Sequence, residues 1–457
     1  MPQSPRLLAV AALGLLAGCS GLRQTYATPT LAEPLPATWT YGQDDLPPVL
    51  AGNWWEAFNA PGLNALVSDV LARNNNLAAA GLRLRQARLQ AQLTRSNQLP
   101  QPSGQASAGA SRGLDGGPTS ESYAASLGLS YELDLWGRLA ALTDAAEWEA
   151  AATSEDLEAT RLSLIGTTIN LYFQIAYLNE RLTLAQDSLT YAYSVQHLVQ
   201  ARYDAGSESG LAVQEARQTV LSQEATLSSL QQQRVEALNA IGVLLGVGNG
   251  VQLADDPASL QDFTLPAIGA GTPAALLSRR PDLRAAEARL RSTLANVDAT
   301  RASFYPSFSL TGSAGGSSTA LSDLFSNPVG SIGAALSLPF LNVVEQRLTN
   351  ASARAGFQAA EADFRQTLAT ALSEVEDALS SRVQLATQGQ RLEGSLDAAR
   401  RAEQINEVRY RAGATSARDF LDSQESRRNQ EITLLNNQLS QLNSAVTLFQ
   451  ALGGQDR

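Results

Sequence analysis

The chain of 457 residues is written twice. Displaced by 206 positions (77 to 283), Leu77, Ala79, Ala80, Leu84, Arg85, Arg95, Pro100 and Ser103 fall on Leu283, Ala285, Ala286, Leu290, Arg291, Arg301, Pro306 and Ser309. A second set follows at 207 (203 to 410): Arg202-Tyr203-x-Ala205-Gly206 falls on Arg409-Tyr410-x-Ala412-Gly413, and Gln223 to Leu227 on Gln430 to Leu434. Blocks in one order at nearly one offset mark a tandem duplication. Whatever the first half folds into, the second must fold into as well. The expected repeats are 61–250 and 276–457, joined by a linking segment at 251–275.

Within each half the pattern reads helix, strand pair, very long helix, turn, shorter helix. No proline lies between Pro118 and Pro257, and none follows Pro339, so nothing interrupts long helices there. Leu157, Leu164, Leu171 and Leu178 recur every seven residues, and Ile175, Leu182 and Leu189 form a second sevenfold row. The second half repeats this with Leu368 and Val375, then Leu372 and Leu379. These are coiled-coil seams. A helix from Arg138 to Asp204 would be about 100 Å long at about 1.5 Å per residue, far more than a small domain needs. Turns are expected at about 204–210 and 411–417.

The strand pairs, expected at about 103–135 and 306–341, alternate strictly. Ala125, Leu127, Leu129, Tyr131 and Leu133 oppose Ser126, Gly128, Ser130, Glu132 and Asp134; Phe308 and Leu310 alternate with Ser307, Ser309 and Thr311; Ile332, Ala334 and Leu336 alternate with Gly333, Ala335 and Ser337. Ala106, Ala108 and Ala110 mark a fainter fourth strand. A membrane barrel with lipid outside and water inside has this period, and so does a half-buried soluble sheet. Four strands cannot close a barrel, and an open edge in lipid leaves backbone groups unpaired at several kcal/mol each. Such a sheet is therefore either soluble or shared with further copies of the chain.

The N-terminus carries Arg6, an apolar run from Leu7 to Leu16, and then Leu16-Ala17-Gly18-Cys19 with the sole cysteine. This resembles a bacterial lipoprotein signal over 1–18, with Cys19 acylated and 19–60 a lipidated extension; the alternative is a plain secretory signal with an incidental cysteine. Ser20 after the cysteine favours the outer membrane, by resemblance to lipoprotein sorting. No intrachain disulfide is possible. The net charge is -11 and every basic residue is Arg, which argues against nucleic acid. At 44% hydrophobic residues, a bundle of transmembrane helices is excluded.

Taken in order, Trp54-Trp55-x-x-Phe58, Leu66, Asn76-Leu77, Tyr131-x-Leu133-Asp134-x-Trp136-Gly137-Arg138 and the run Arg279 to Glu287 through Tyr305-Pro306 resemble the TolC-like outer-membrane factors. The nearest branch is the lipoproteins that serve resistance-nodulation-division efflux pumps. The resemblance implies a membrane β-barrel plus a long α-helical coiled-coil barrel: a homotrimer with four strands per protomer closes a 12-stranded barrel in the outer membrane above a periplasmic tunnel. It implies a passive exit duct for drugs or other small toxic compounds, opened when a periplasmic adaptor and an inner-membrane pump engage it. The place is the outer membrane, lipid-anchored, with a large periplasmic part.

By the same resemblance the turns form the periplasmic tip, and Arg202, Tyr203, Gly206, Ser209, Arg409, Tyr410, Gly413 and Ser416 receive the adaptor. The glycines are equally explained as helix terminators. Asp419 and Asp422, one helix face at i,i+3, match the paired aspartates of the family's gate, where threefold symmetry gathers six carboxylates; acidic residues in a first helical turn also simply complement the helix dipole. The first half departs here, with Ala212 and Glu215. So does the second barrel exit, Phe340 to Arg347, where many relatives have Phe-Asp-Gly-Gly-Arg.

No catalytic constellation is present. The sole histidine, His197, sits in a coiled-coil pattern, one cysteine cannot build a zinc site, and the glycine-rich stretches lack a P-loop lysine. The expectation is a non-enzyme without cofactor or metal. Two rivals stay open: a duct for type I protein secretion, and a periplasmic coiled-coil scaffold or adaptor lipoprotein with no pore.

Overall fold

The two halves of the duplication build matching elements in a computed structural model that describes residues 23–27, 29, 35–42 and 53–454. The first half holds helices α1 (Pro61–Arg73) and α2 (Asn75–Ser96), strands β1 (Gln101–Ser111) and β2 (Ser120–Leu133), then α3 (Arg138–Asp204) and α4 (Gly210–Leu244). The second holds α5 (Pro281–Ala302), β3 (Ser307–Ser318), β4 (Val329–Ser337), α6 (Val343–Arg411) and α7 (Ala417–Ala451). The coiled-coil runs are uninterrupted: α3 has 67 residues and α6 has 69, while α4 and α7 have 35 each.

The first entering helix is broken where the pattern suggested one. Asn74 has ψ 123°, outside the helical range. Its Oδ1 accepts the Leu77 N–H at 3.0 Å, and its Nδ2 donates to the Leu244 carbonyl at 2.9 Å. One side chain thus starts α2 and fastens the end of α4.

All four strands form one antiparallel sheet in the order β1-β2-β3-β4. The two hairpins join through β2 and β3, where Leu133 opposes Phe308 and Tyr131 opposes Leu310. Residues directly opposite share a face, so the register collects the alternation of separate strands into two surfaces. Leu127, Leu129, Tyr131, Leu133, Phe308, Leu310, Ile332, Ala334 and Leu336 share one. Ser103, Gln105, Ser107, Ser126, Ser130, Ser309, Thr311, Ser313 and Ser331 share the other, where Ser313 and Ser331 bond at 2.7 Å. The apolar face is open: Leu127 is 72% and Ile332 96% exposed.

Both exits from the sheet are capped. Asp134 accepts the N–H groups of Leu139 (3.0 Å) and Ala140 (2.8 Å), Gly137 turns at φ 73°, and Arg138 grips Glu132. At the second exit a short 3-10 turn, Pro339–Leu341, leads to Asn342, whose Oδ1 accepts the Glu345 N–H at 3.3 Å. The divergent second exit therefore starts its helix by the same device, with a neutral acceptor.

Backbone contacts divide the chain into two units, through which the long helices are continuous. One contains the sheet with residues 82–156 and 284–367. The other contains residues 157–283 and 368–454. Its core includes an aromatic cluster built on the Trp54-Trp55-x-x-Phe58 marker: Trp54 stacks on Phe449 at 4.6 Å, and Phe58 meets Phe173 edge-on at 5.1 Å. Arg280, from the Arg-Arg-Pro-Asp-Leu run, binds Asp282 and Glu374 at 2.7 Å each and donates to the Ala451 carbonyl at 3.0 Å. No helix among the described residues is long and apolar enough to cross a membrane.

Candidate functional site

The two turns between long and returning helices end in the same way. Gly206 has φ 73° and Gly413 φ 72°, a region an L side chain enters at a cost of about 1 kcal/mol. Ser207 N–H donates to the Arg202 carbonyl and Gly206 N–H to Tyr203; Ala414 N–H donates to Arg409 and Gly413 N–H to Tyr410. This double pattern closes the last carbonyls of α3 and α6. Ser209 and Ser416 then start the returning helices, their hydroxyls accepting the Ala212 and Asp419 N–H groups at 3.2 Å each. Glycines and serines of the motif thus have complete local duties.

The two tyrosines of the motif part company. Tyr203 is 47% exposed, whereas Tyr410 has no exposure at all. Tyr410 stacks on Phe420 (ring centroids 5.4 Å apart, planes at 17°) inside a cluster with Val195, Val199, Ala212, Ala216 and Ala417. Arg202, from the other turn, covers its outer face with the guanidinium carbon 4.3 Å from the ring centre, and donates from Nη2 to the Arg411 carbonyl at 3.0 Å. Burial, with the Glu208 carboxylate second, pushes the Tyr410 phenol above its ordinary range. Within the protomer the Tyr410 ring is core, and Arg202 links one turn to the other. Of the two Arg-Tyr pairs, Tyr203 and Arg409 are the exposed members.

Asp419 and Asp422 both lie exposed on α7. Asp419 closes a capping box: one carboxylate oxygen accepts from Ser416 Oγ (2.7 Å), Thr415 Oγ1 (2.8 Å) and the Ser416 N–H (3.3 Å). These bonds, with Ser416 Oγ–H foremost, hold its carboxyl below the ordinary aspartate value. Asp422 faces Arg418 at 3.8 Å and borders a groove of about 280 Å³ between α4 and α7, with Glu215, Glu425 and Arg428.

Two residues in this region went unremarked in the sequence. Gln424 (1% exposed) and Arg428 (7%) follow Phe420 at four-residue steps, so polar groups occupy the buried stripe of α7. The signal was there in the spacing. Gln424 lies beside the Tyr191 phenol, and burial lowers the pKa of Arg428. The expected lipidation site, Cys19, lies outside the described residues.

The architecture is known elsewhere. The outer membrane channel MtrE of Neisseria gonorrhoeae, solved in its open state, matches with a TM-score of 0.83 at 29% identity, over 94% of this chain and 97% of that one. The pyoverdine export outer membrane protein OpmQ of Pseudomonas putida is 34% identical over 465 residues, covering 98% of this chain and 97% of its own length. The toluene efflux pump outer membrane protein TtgC, from another strain of Pseudomonas putida, is 32% identical over 470 residues, covering 99% and 96%. Two stretches, 66–247 and 272–454, match the outer membrane efflux protein family, one for each half of the duplication. With its duplicated hairpins, open sheet and paired long helices, the chain belongs to the outer membrane efflux protein family, the non-enzymatic outer-membrane channels of efflux pumps.

Proposed function

We propose that this channel works as a homotrimer. Its protomers share one 12-stranded barrel, with the apolar sheet face toward lipid and the serine-rich face toward a water-filled lumen. An acyl group on Cys19 tethers each protomer to the outer membrane. Small compounds, of the kind the names of OpmQ and TtgC attribute to those relatives, pass through unaltered. A periplasmic adaptor contacts the turns that carry Tyr203 and Arg409, and a resistance-nodulation-division pump in the inner membrane supplies the drive.

The observation that carries this reading is the sheet: four strands with a continuous apolar face and two unpaired edges, β1 and β4. In lipid those edges need partners, and β4 of one copy beside β1 of the next supplies them. Asp419 and Asp422 would place six carboxylates near the axis of a trimer, where they attract cations and repel anions. Single-channel recording in planar bilayers is the test. Purified protein with the mass of three chains should conduct; trimers that never open, even with both aspartates neutralised, sink the reading.

A further inference from the structure

The unit that holds the sheet contains a cationic feature, unconnected with the turns. A groove of about 710 Å³ opens where α5 enters β3 and α6 leaves the β4 end. Its lining includes Arg301, Arg347 and Arg354, the rings of Phe304, Tyr305 and Phe340, and no acidic residue. In a chain of net charge -11 this is a strong local inversion. None of the three arginines has an ion pair among the described residues. Of the carboxylates beside them in sequence, Asp298 accepts the Gln24 N–H at 3.1 Å and also feels the charge of Arg301, and Glu345 accepts from Asn342 Nδ2 at 2.6 Å.

Position gives this cluster its meaning. Phe308 and Leu336, opposite each other in the β3–β4 ladder, are the last apolar pair of the sheet at this end. Pro306 immediately precedes β3 and Phe340 follows β4 by three residues, so the groove begins where the apolar face stops. Arg347 stands four residues into α6, about 6 Å along its axis from the helix start, and that start follows the end of β4 by six residues. Side chains on a helix lean toward its N-terminus, which on α6 is the sheet end. Arg354 therefore reaches back toward Arg347, two turns above it. Guanidinium groups beside aromatic rings, at the boundary of an apolar belt, suit a phosphate whose tails lie on that belt.

We infer that this groove is a binding site for the phosphate headgroup of an anionic phospholipid in the periplasmic leaflet, with Arg301, Arg347 and Arg354 as its ligands. The inference rests on the apolar sheet face meeting lipid. Native mass spectrometry of the full-length protein in non-ionic detergent, titrated with phosphatidylglycerol, reads it directly. Replacing Arg301→Gln, Arg347→Gln and Arg354→Gln together should weaken apparent affinity about a hundredfold, at about fivefold per arginine near an anionic lipid. Arg354→Gln alone, which keeps most of the groove intact, should cost about fivefold. Equal binding by the wild-type protein and both variants overturns the site. Displacement of the lipid by an equal concentration of inorganic phosphate overturns it too, because the groove would then recognise a free anion. The same preparations in planar bilayers separate the two readings. If the wild-type protein conducts while lipid binding is indifferent to the arginines, the headgroup site alone falls; if it never conducts, the membrane reading falls and takes the site with it.

Discussion

Arg202 closes over Tyr410 from the opposite turn, its guanidinium carbon 4.3 Å from the ring centre and its Nη2 bonded to the next carbonyl at 3.0 Å. The equivalent tyrosine, Tyr203, has no such cover and is 47% exposed. Identical motifs should therefore answer differently to the same change. Tyr410→Ala is expected to destabilise this end of the helices by about 3–5 kcal/mol, as loss of a buried aromatic does. Tyr203→Ala should stay within about 0.5 kcal/mol, and Arg202→Ala should fall between, near 1–2 kcal/mol. Amide hydrogen exchange over 195–216 and 410–424 measures all three.

The capping box of α7 sets an acid limit. Hydrogen bonds from Ser416 and Thr415 depress the Asp419 pKa below its ordinary value of 3.8. A depressed carboxylate contributes stability that is fully present above the unfolded pKa and is lost as pH falls through the folded one. Exchange protection of the first turn of α7 should thus be level above about pH 4 and decline only at lower pH. Ser416→Ala should lower that protection at every pH by about 1 kcal/mol. An Asp419→Asn protein that keeps the full acid profile would remove Asp419 from the effect.

Charge and cap can be separated at Asp419 and Asp422. Asp419→Ala with Asp422→Ala should weaken block of the conductance by divalent cations. Ser416→Ala loosens the same turn but leaves both carboxylates. Its block should match the wild-type channel; if it instead mimics the double substitution, the aspartates act through the helix start and not through their charge.

The two faces of the sheet should differ in tolerance. Leu127→Arg puts a charge on the apolar face and should cost about 2–4 kcal/mol in lipid, seen as loss of assembled protein from outer-membrane fractions. Ser126→Arg, one residue away on the serine-rich face, should assemble normally and alter ion selectivity. Equal assembly of both would argue that neither face meets lipid.

Much of this is legible in the sequence. Proline-free heptads marked α3, and an uninterrupted helix occupies Arg138–Asp204; the period of two marked the strands and their apolar sides. The pairing of Leu133 with Phe308 was not legible, because a ladder between hairpins some 175 residues apart (133 to 308) leaves no local trace. The unequal tyrosines were half legible. Their motifs are the same, and the cause sits ten residues on: Tyr410 has Phe420 to stack upon, whereas the position equivalent to Phe420 in the first half is Val213. Motif matching alone hides such a difference, since burial is decided by the facing helix. For Asp419 the sequence did allow a place in a first helical turn, and its bonds with Ser416 make that duty explicit.

The open margins of the sheet also bear on time and supply. An edge strand of 11 residues, β1, and another of nine, β4, would each bring unmatched amides and carbonyls into hydrocarbon. In water the same edges invite indiscriminate pairing with other chains. A newly exported protomer is safe in neither solvent for long. Its entry into the membrane should consequently rise more steeply than linearly with the local density of its own kind, so that rate of synthesis, more than rate of folding, sets how many channels a cell displays.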